Sequence, residues 1–296
     1  MKTTIKRIFF LFLLLLISIG IVYGHLYHAN NKLASLPPNT EYIQSRDAAK
    51  SWIITNQEEI LSDHNPMLWW MIKQSIITSK DEDLEKLYQT YATNFQNKFP
   101  TSAWNTLIDQ NRYFRVNLDE VLQYPDYNQH IIYGLTCNRE LAEFDIITAQ
   151  NQVNFCDTYH PISPACTTHQ MMGVYFAQTN NCLPRYEADQ LMSSLKNIVI
   201  TQLEYDPRLV DVYLQRVLML LLTNARDDIQ PIWIKRILDA QLEDGGWSDF
   251  DGLINTGNGN QIGFTKRSLG IRTPASDFHA TAQGLLIITL LANNPS

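Results

Sequence analysis

Three stretches of the C-terminal half are apolar nearly all round a helical wheel: Thr168–Gln178, Asp211–Thr223 and Thr281–Ala292. A helix apolar on every face needs protein on every side. Each follows an amphipathic segment, Asp145–Gln150, Asn197–Glu204 or Arg236–Glu243, that can turn one face to water. The last two begin 39 residues apart, and Lys196 and Lys235 precede them. The alternation predicts outer helix, inner helix, repeated. Self-similarity at about 40 residues fits stacked or circularly arranged helical hairpins. Chance likeness between amphipathic helices is the bland alternative.

The first half carries shorter helical signals. Ser45-Arg46-Asp47 opens a helix toward Leu61, and Asn65-Pro66 opens one toward Thr78. Lys80-Asp81-Glu82-Asp83, with three acidic residues, leads into Leu84–Phe95, and Pro100-Thr101-Ser102 restarts helix toward Ile108. No clear apolar/polar alternation is bounded by hairpin turns, so the expected class is all-α.

Ile8–Tyr23 is uncharged and interrupted only by Ser18 and Gly20. Lys2, Lys6 and Arg7 precede it, which places the N-terminus in the cytoplasm by the positive-inside rule. A spanning helix wants roughly 20 residues and a signal core about 7–15, so this run falls between them. Two fates fit: a single-pass anchor, or secretion after cleavage at Gly24. Either puts the remainder outside the cytoplasm, in the periplasm of a two-membrane bacterium. The expected organisation is an apolar segment over 1–24, a tether over 25–40 rich in Asn, Pro and Ser, and a helical domain over 41–296.

The chain has 23 Lys+Arg and 30 Asp+Glu, a net charge of −7, and the leader's three cations make the remainder −10. With no basic stripe, nucleic acid and anionic lipid surfaces are excluded as partners. The membrane enters only through the N-terminal segment.

Four cysteines, Cys137, Cys156, Cys166 and Cys182, fall in one stretch. An even number in an exported chain points to disulfides. With Arg139–Gln152 as one helix and Thr168–Gln178 as its antiparallel partner, each is roughly 15–20 Å long. Bridged Cα atoms lie within about 7 Å, so no bridge spans a helix. The remaining pairing is Cys156–Cys166 at one end of the hairpin and Cys137–Cys182 at the other. The competing reading is zinc on Cys156, His160, Cys166 and His169. Thiols outside the cytoplasm oxidise, which favours disulfides, so neither metal nor cofactor is expected.

Gln241, Asp244, Gly245, Gly246 and Trp247 form Q-x-x-D-G-G-W. This resembles the repeat of the α/α-toroids, the terpene-cyclase and protein-prenyltransferase group, over about residues 196–292. The resemblance implies a toroid-like or solenoid arrangement in which the Gln and Trp tie adjacent helices together. Ser276–Ala282 looks like the opening of the next inner helix. Protein farnesyltransferase β-subunits ligate zinc with a His in D-x-x-H; here Asp277–His279 is one residue shorter.

Residues 245–275 make a long loop for a compact helical domain, and such loops are usually functional or disordered. It contains Asp249 and Asp251 and leads to His279. Aligning the inner helices on Gln170, Gln215 and Gln283 puts Cys166, Asp211 and His279 at one level. Asp211, Asp249, Asp251, Asp277 and His279 are therefore the candidates for acid–base work in a central cavity. Simpler roles compete: Asp277 and Asp211 as helix caps, His279 as a core residue, Trp247 as packing. Two function classes remain open. One is a membrane-anchored domain binding a protein, peptide or glycan; the other is a hydrolase, lyase or transferase using the same cavity.

Overall fold

The computed structural model describes residues 2–109, 116–156 and 163–293. In chain order the helices are α1 (Lys2–Asn31), α2 (Asn39–Thr55), α3 (Gln57–Ile60), α4 (Pro66–Ser79), α5 (Glu82–Lys98) and α6 (Asn105–Ile108). There follow α7 (Leu118–Val121), α8 (Asp126–Thr136), α9 (Arg139–Ala142), α10 (Asp145–Gln150) and α11 (Cys166–Thr179). The last are α12 (Arg185–Tyr205), α13 (Asp211–Leu222), α14 (Pro231–Asp239) and α15 (Phe278–Asn293).

The apolar-all-round segments are the innermost helices. Every residue of α13 from Asp211 to Leu220 is buried, as is every residue of α15 from Ala280 to Thr289. α15 packs on α2, α4 and α13; α13 packs on α11, and α11 on α8. α6 touches both α8 and α4. Neighbour to neighbour, α4, α15, α13, α11, α8 and α6 lead back to α4. The more polar α5, α12 and α14 pack against members of this set, on α4, α13 and α13 respectively. Local signals set the helix starts: the Asn65 side chain caps α4 with Pro66 in its first turn, and Asp81 caps α5.

The Gln241–Trp247 turn fastens three helices. Gln241 Nε2 donates to Ser45 O of α2 at 2.8 Å and to Gly245 O at 2.7 Å. Asp244 accepts from Trp52 Nε1 of α2 at 3.1 Å and from Ser276 Oγ at 2.6 Å. Trp247, 1% exposed, donates from Nε1 to Ile237 O of α14 at 2.8 Å. Its ring lies so close to Gly284 of α15 that a Cβ there would sit 2.4 Å from it. Gly245 has φ +96°, and a Cβ would meet Ala48 O at 2.4 Å, so two constraints select glycine.

Residues 251–272 are not a featureless loop. β1 (Asp251–Gly257), β2 (Asn260–Phe264) and β3 (Leu269–Arg272) form an antiparallel sheet in the order β1-β2-β3. The all-α expectation is corrected to mostly helical with one small sheet. Gly257 pairs with Asn260 across Asn258-Gly259, whose φ values are +53° and +78°. Positive φ at both central positions is the two-residue hairpin turn that Asn-Gly favours, matching the twist of the strands.

The expected tether over 25–40 is also largely helical. α1 continues to Asn31 and α2 begins at Asn39. Asn30, fully buried, donates from Nδ2 to Leu203 O at 2.6 Å and accepts from Tyr213 Oη at 2.9 Å and from Arg236. Tyr23 Oη donates to Tyr205 O at 3.0 Å. The C-terminal turns of α1 are therefore seated on α12 and α14, while its apolar stretch from Phe9 onward projects uncovered.

Cys137 is bonded to Cys182, and Cys156 to Cys166. This is the expected pairing, reached by a different geometry. Residues 139–152 break into α9 and α10, and the helix packed along α11 is α8. Cys137 ends α8 in a left-handed conformation beside Cys182, just beyond α11, and Cys156 follows α10 to meet the first residue of α11. The bridges close 45 and 10 residues of chain. In the chain-entropy account they stabilise by roughly 4 and roughly 3 kcal/mol. Cys137→Ser with Cys182→Ser should thus lower stability more than Cys156→Ser with Cys166→Ser, by denaturant unfolding. Gly245→Ala should cost about 1–3 kcal/mol from backbone strain, read as a fall in the denaturant midpoint.

Candidate functional site

Several inner helices turn their N-terminal ends toward one cavity of about 500 Å³. Its wall includes residues of α4, α8, α11, α13 and α15, the aromatics Trp104, Tyr124 and Tyr127, and Lys266 from the β2–β3 turn. Thr265 shapes that turn by donating its backbone N–H to Ser268 O at 2.8 Å.

Asp211, the first residue of α13, has a side chain only 5% exposed. Its Oδ2 lies 3.3 Å from His279 Nδ1 and 2.8 Å from Lys266 Nζ, and Oδ1 accepts from Val212 N at 2.8 Å. Burial would push this carboxyl up, yet hydrogen bonds and charge from His279 and Lys266 outweigh it and hold the group down to about 2. Asp211 is an anion at neutral pH. His279, 38% exposed at its side chain, has Nε2 at 3.3 Å from Gln283 Nε2, one turn along α15. The arrangement that satisfies both contacts has Nδ1–H donating to Asp211 and Nε2 accepting from the Gln283 amide.

His169 of α11 lines the same wall. Its ring stacks on Tyr127 at 4.3 Å between centroids, and Nδ1 donates to Ala165 O at 2.8 Å. Burial, followed by the electrostatic influence of neighbouring His279 and Lys266, lowers its pKa to about 4 despite that bond. It is neutral beside a charged cluster.

The other candidates lie elsewhere. Asp277 caps α15 through Oδ1, which accepts from Ala280 N at 2.9 Å, while Oδ2 is buried without a partner. Burial raises its pKa, and it faces a neighbouring cavity that His279 also borders. Asp251 accepts from Leu209 N at 2.8 Å, and burial raises it too. Asp249 pairs with Arg272 at 3.5 Å in the open. The structure therefore brings Asp211 and His279 together, puts Asp277 close by, and ties Asp249 to Arg272 of β3 and Asp251 to the Leu209 amide before α13. Lys266 and Gln283 are site residues to which the sequence analysis gives no chemical role, and His169 enters it only as a zinc candidate. The level alignment of the inner helices carries a signal for His169, one turn beyond Cys166, but none for Lys266.

The zinc reading is corrected by the disulfide, which takes both thiols; His160 lies outside the described residues. Among the described residues no cluster of three or more His, Cys, Asp or Glu could hold a metal. No family model, curated protein or solved structure matches this chain.

His130 resembles His169 electrostatically. It is fully buried with Nε2 3.0 Å from Asn151 Oδ1, and burial lowers its pKa to about 4. Both imidazoles stay neutral when folded but protonate near 6.5 when unfolded. The unfolded chain then binds more protons between about pH 6.5 and 4, so stability should fall as pH drops through that window. Denaturant unfolding across that range checks this, and His130→Gln should flatten the slope.

Proposed function

We propose that this protein is a membrane-anchored, extracytoplasmic helical ring of the α/α-toroid type that binds a glycan in its cavity and acts on it by acid–base chemistry. The Asp211–His279 pair on the cavity wall carries the reading. The returning order of helix contacts and the Gln241–Trp247 ties support the toroid. The apolar α1 and the two disulfides support anchorage with the domain in an oxidising compartment.

The cavity falls within the range typical of small-molecule sites, about 300–1,000 Å³. Trp104, Tyr124 and Tyr127 offer flat apolar faces for sugar rings, and Gln215, Lys266 and His279 offer polar groups for hydroxyls. With Nδ1–H fixed on Asp211, the Nε2 lone pair of His279, freed when substrate displaces the Gln283 amide from it, takes a proton from a substrate hydroxyl, an acidic C–H or water. The imidazolium so formed is stabilised by the buried carboxylate, as in other carboxylate–imidazole pairs, and returns its proton to the departing oxygen. Lys266 places a second positive charge where an oxyanion or a uronate carboxylate would sit. The reaction class is hydrolysis or β-elimination of a glycosidic link.

The test uses the full chain in nanodiscs with a panel of neutral and uronate-containing oligosaccharides, measuring binding by calorimetry and products by mass spectrometry. His279→Ala should keep binding within a few-fold and lose turnover by about 10²–10⁴. Tyr127→Ala should weaken binding. Absence of binding across the panel, or turnover unaffected by His279→Ala, overturns the reading.

A further inference from the structure

A second cavity, of about 980 Å³, lies between α1 and the domain. Its wall is mostly apolar: Ile19, Val22 and Leu26 on the α1 side face Ile198, Phe264 and Leu269 on the other. The sheet continues that surface. Ile254 pairs with Ile262, Ile262 with Ile271, and Phe264 with Leu269. Directly paired residues, and residues two apart on a strand, share a face, so these five side chains form one apolar face. Ile254, Leu269 and Ile271 are 59%, 64% and 66% exposed. A patch this apolar on a soluble surface marks an interaction site.

Its position along α1 identifies the occupant. Asn30 is locked into the domain, and Ser18, twelve residues earlier, still lines the cavity. At 1.5 Å per residue the domain runs alongside roughly 18 Å of α1. That length includes the last third of the uncharged run Ile8–Tyr23. In a helix crossing a hydrocarbon layer about 30 Å thick, those residues lie at acyl-chain depth. Whatever stands beside them stands at the same depth. Tyr23, Tyr27 and Tyr205 cluster next to this level, with Tyr27 and Tyr205 rings 5.8 Å apart, where aromatic side chains mark a membrane interface.

We infer that the β1–β3 face and the adjoining cavity are seated in the extracytoplasmic leaflet, with lipid acyl chains filling the space between α1 and the domain. This rests on the anchor reading of α1. The domain is then held to the bilayer by two elements: a helix that crosses it and a sheet that dips into it.

Photolabelling of the full chain separates the two claims. The protein is placed in nanodiscs of phosphatidylcholine bearing a diazirine on one acyl chain, irradiated, digested and mapped by mass spectrometry. Adducts are expected on α1 and on peptides covering 254–271, and absent from the peptide holding Leu122, an exposed residue of the helical body. Leu269→Glu with Ile271→Glu should remove the sheet adducts and leave those on α1. Label on α1 with none on the sheet, or equal label at Leu122, overturns the seating and leaves the anchor standing. No label on α1 overturns the anchor itself.

Discussion

The arrangement depends on one short turn that holds the end of the chain against its beginning. Gln241 and Asp244 reach back to Ser45 and Trp52 of α2, and Trp247 lies flat against Gly284 of α15. Gly245 makes this approach feasible, since any side chain there would meet the α2 backbone. With α15 fixed between α2, α4 and α13, its second residue, His279, has one direction to face. The turn is remote from any chemistry, yet it sets the imidazole beside Asp211.

Two buried aspartates differ in the partners that surround them. Asp206 sits between Arg208 and Arg216, the latter wholly buried and also donating to Gln202. Those cations are always charged, and the carboxylate is saturated by fixed partners. Asp211 is equally sequestered, but its partners are Lys266 and an imidazole half-open to a cavity. That contact presents an imidazole, rather than a fixed guanidinium, to the cavity.

Much of the helical layout is legible in the residues, because α11, α13 and α15 lack any polar face and so declare themselves interior. The level shared by Asp211 and His279 follows from the same feature, as matching inner helices bring their first turns together. The cysteine pairing was accessible even though Arg139–Gln152 is not one helix, because the bridges depend on which helix ends meet rather than on the outer helix's continuity. The sheet was harder to see. Its strands are rich in Asn and Gly and do not alternate cleanly, although Asn258-Gly259 is itself a strong hairpin signal. Lys266 arrives from that hairpin region across a long sequence distance, and no local pattern announces such a contact. Asp249 and Asp251 stand out as carboxylates in a long loop, and their partners, Arg272 and the Leu209 amide, are set by the tertiary fold.

The burial of Asn30 has a mechanical corollary. A soft linker would let the domain swing freely about the axis of α1. Here an unbroken helix passes from the apolar run into a locked amide, so the torque needed to tilt the domain must break bonds to Leu203, Tyr213 and Arg236. The cavity is thus held at a set distance and bearing from the apolar stretch of α1, as if on a rigid arm rather than a leash.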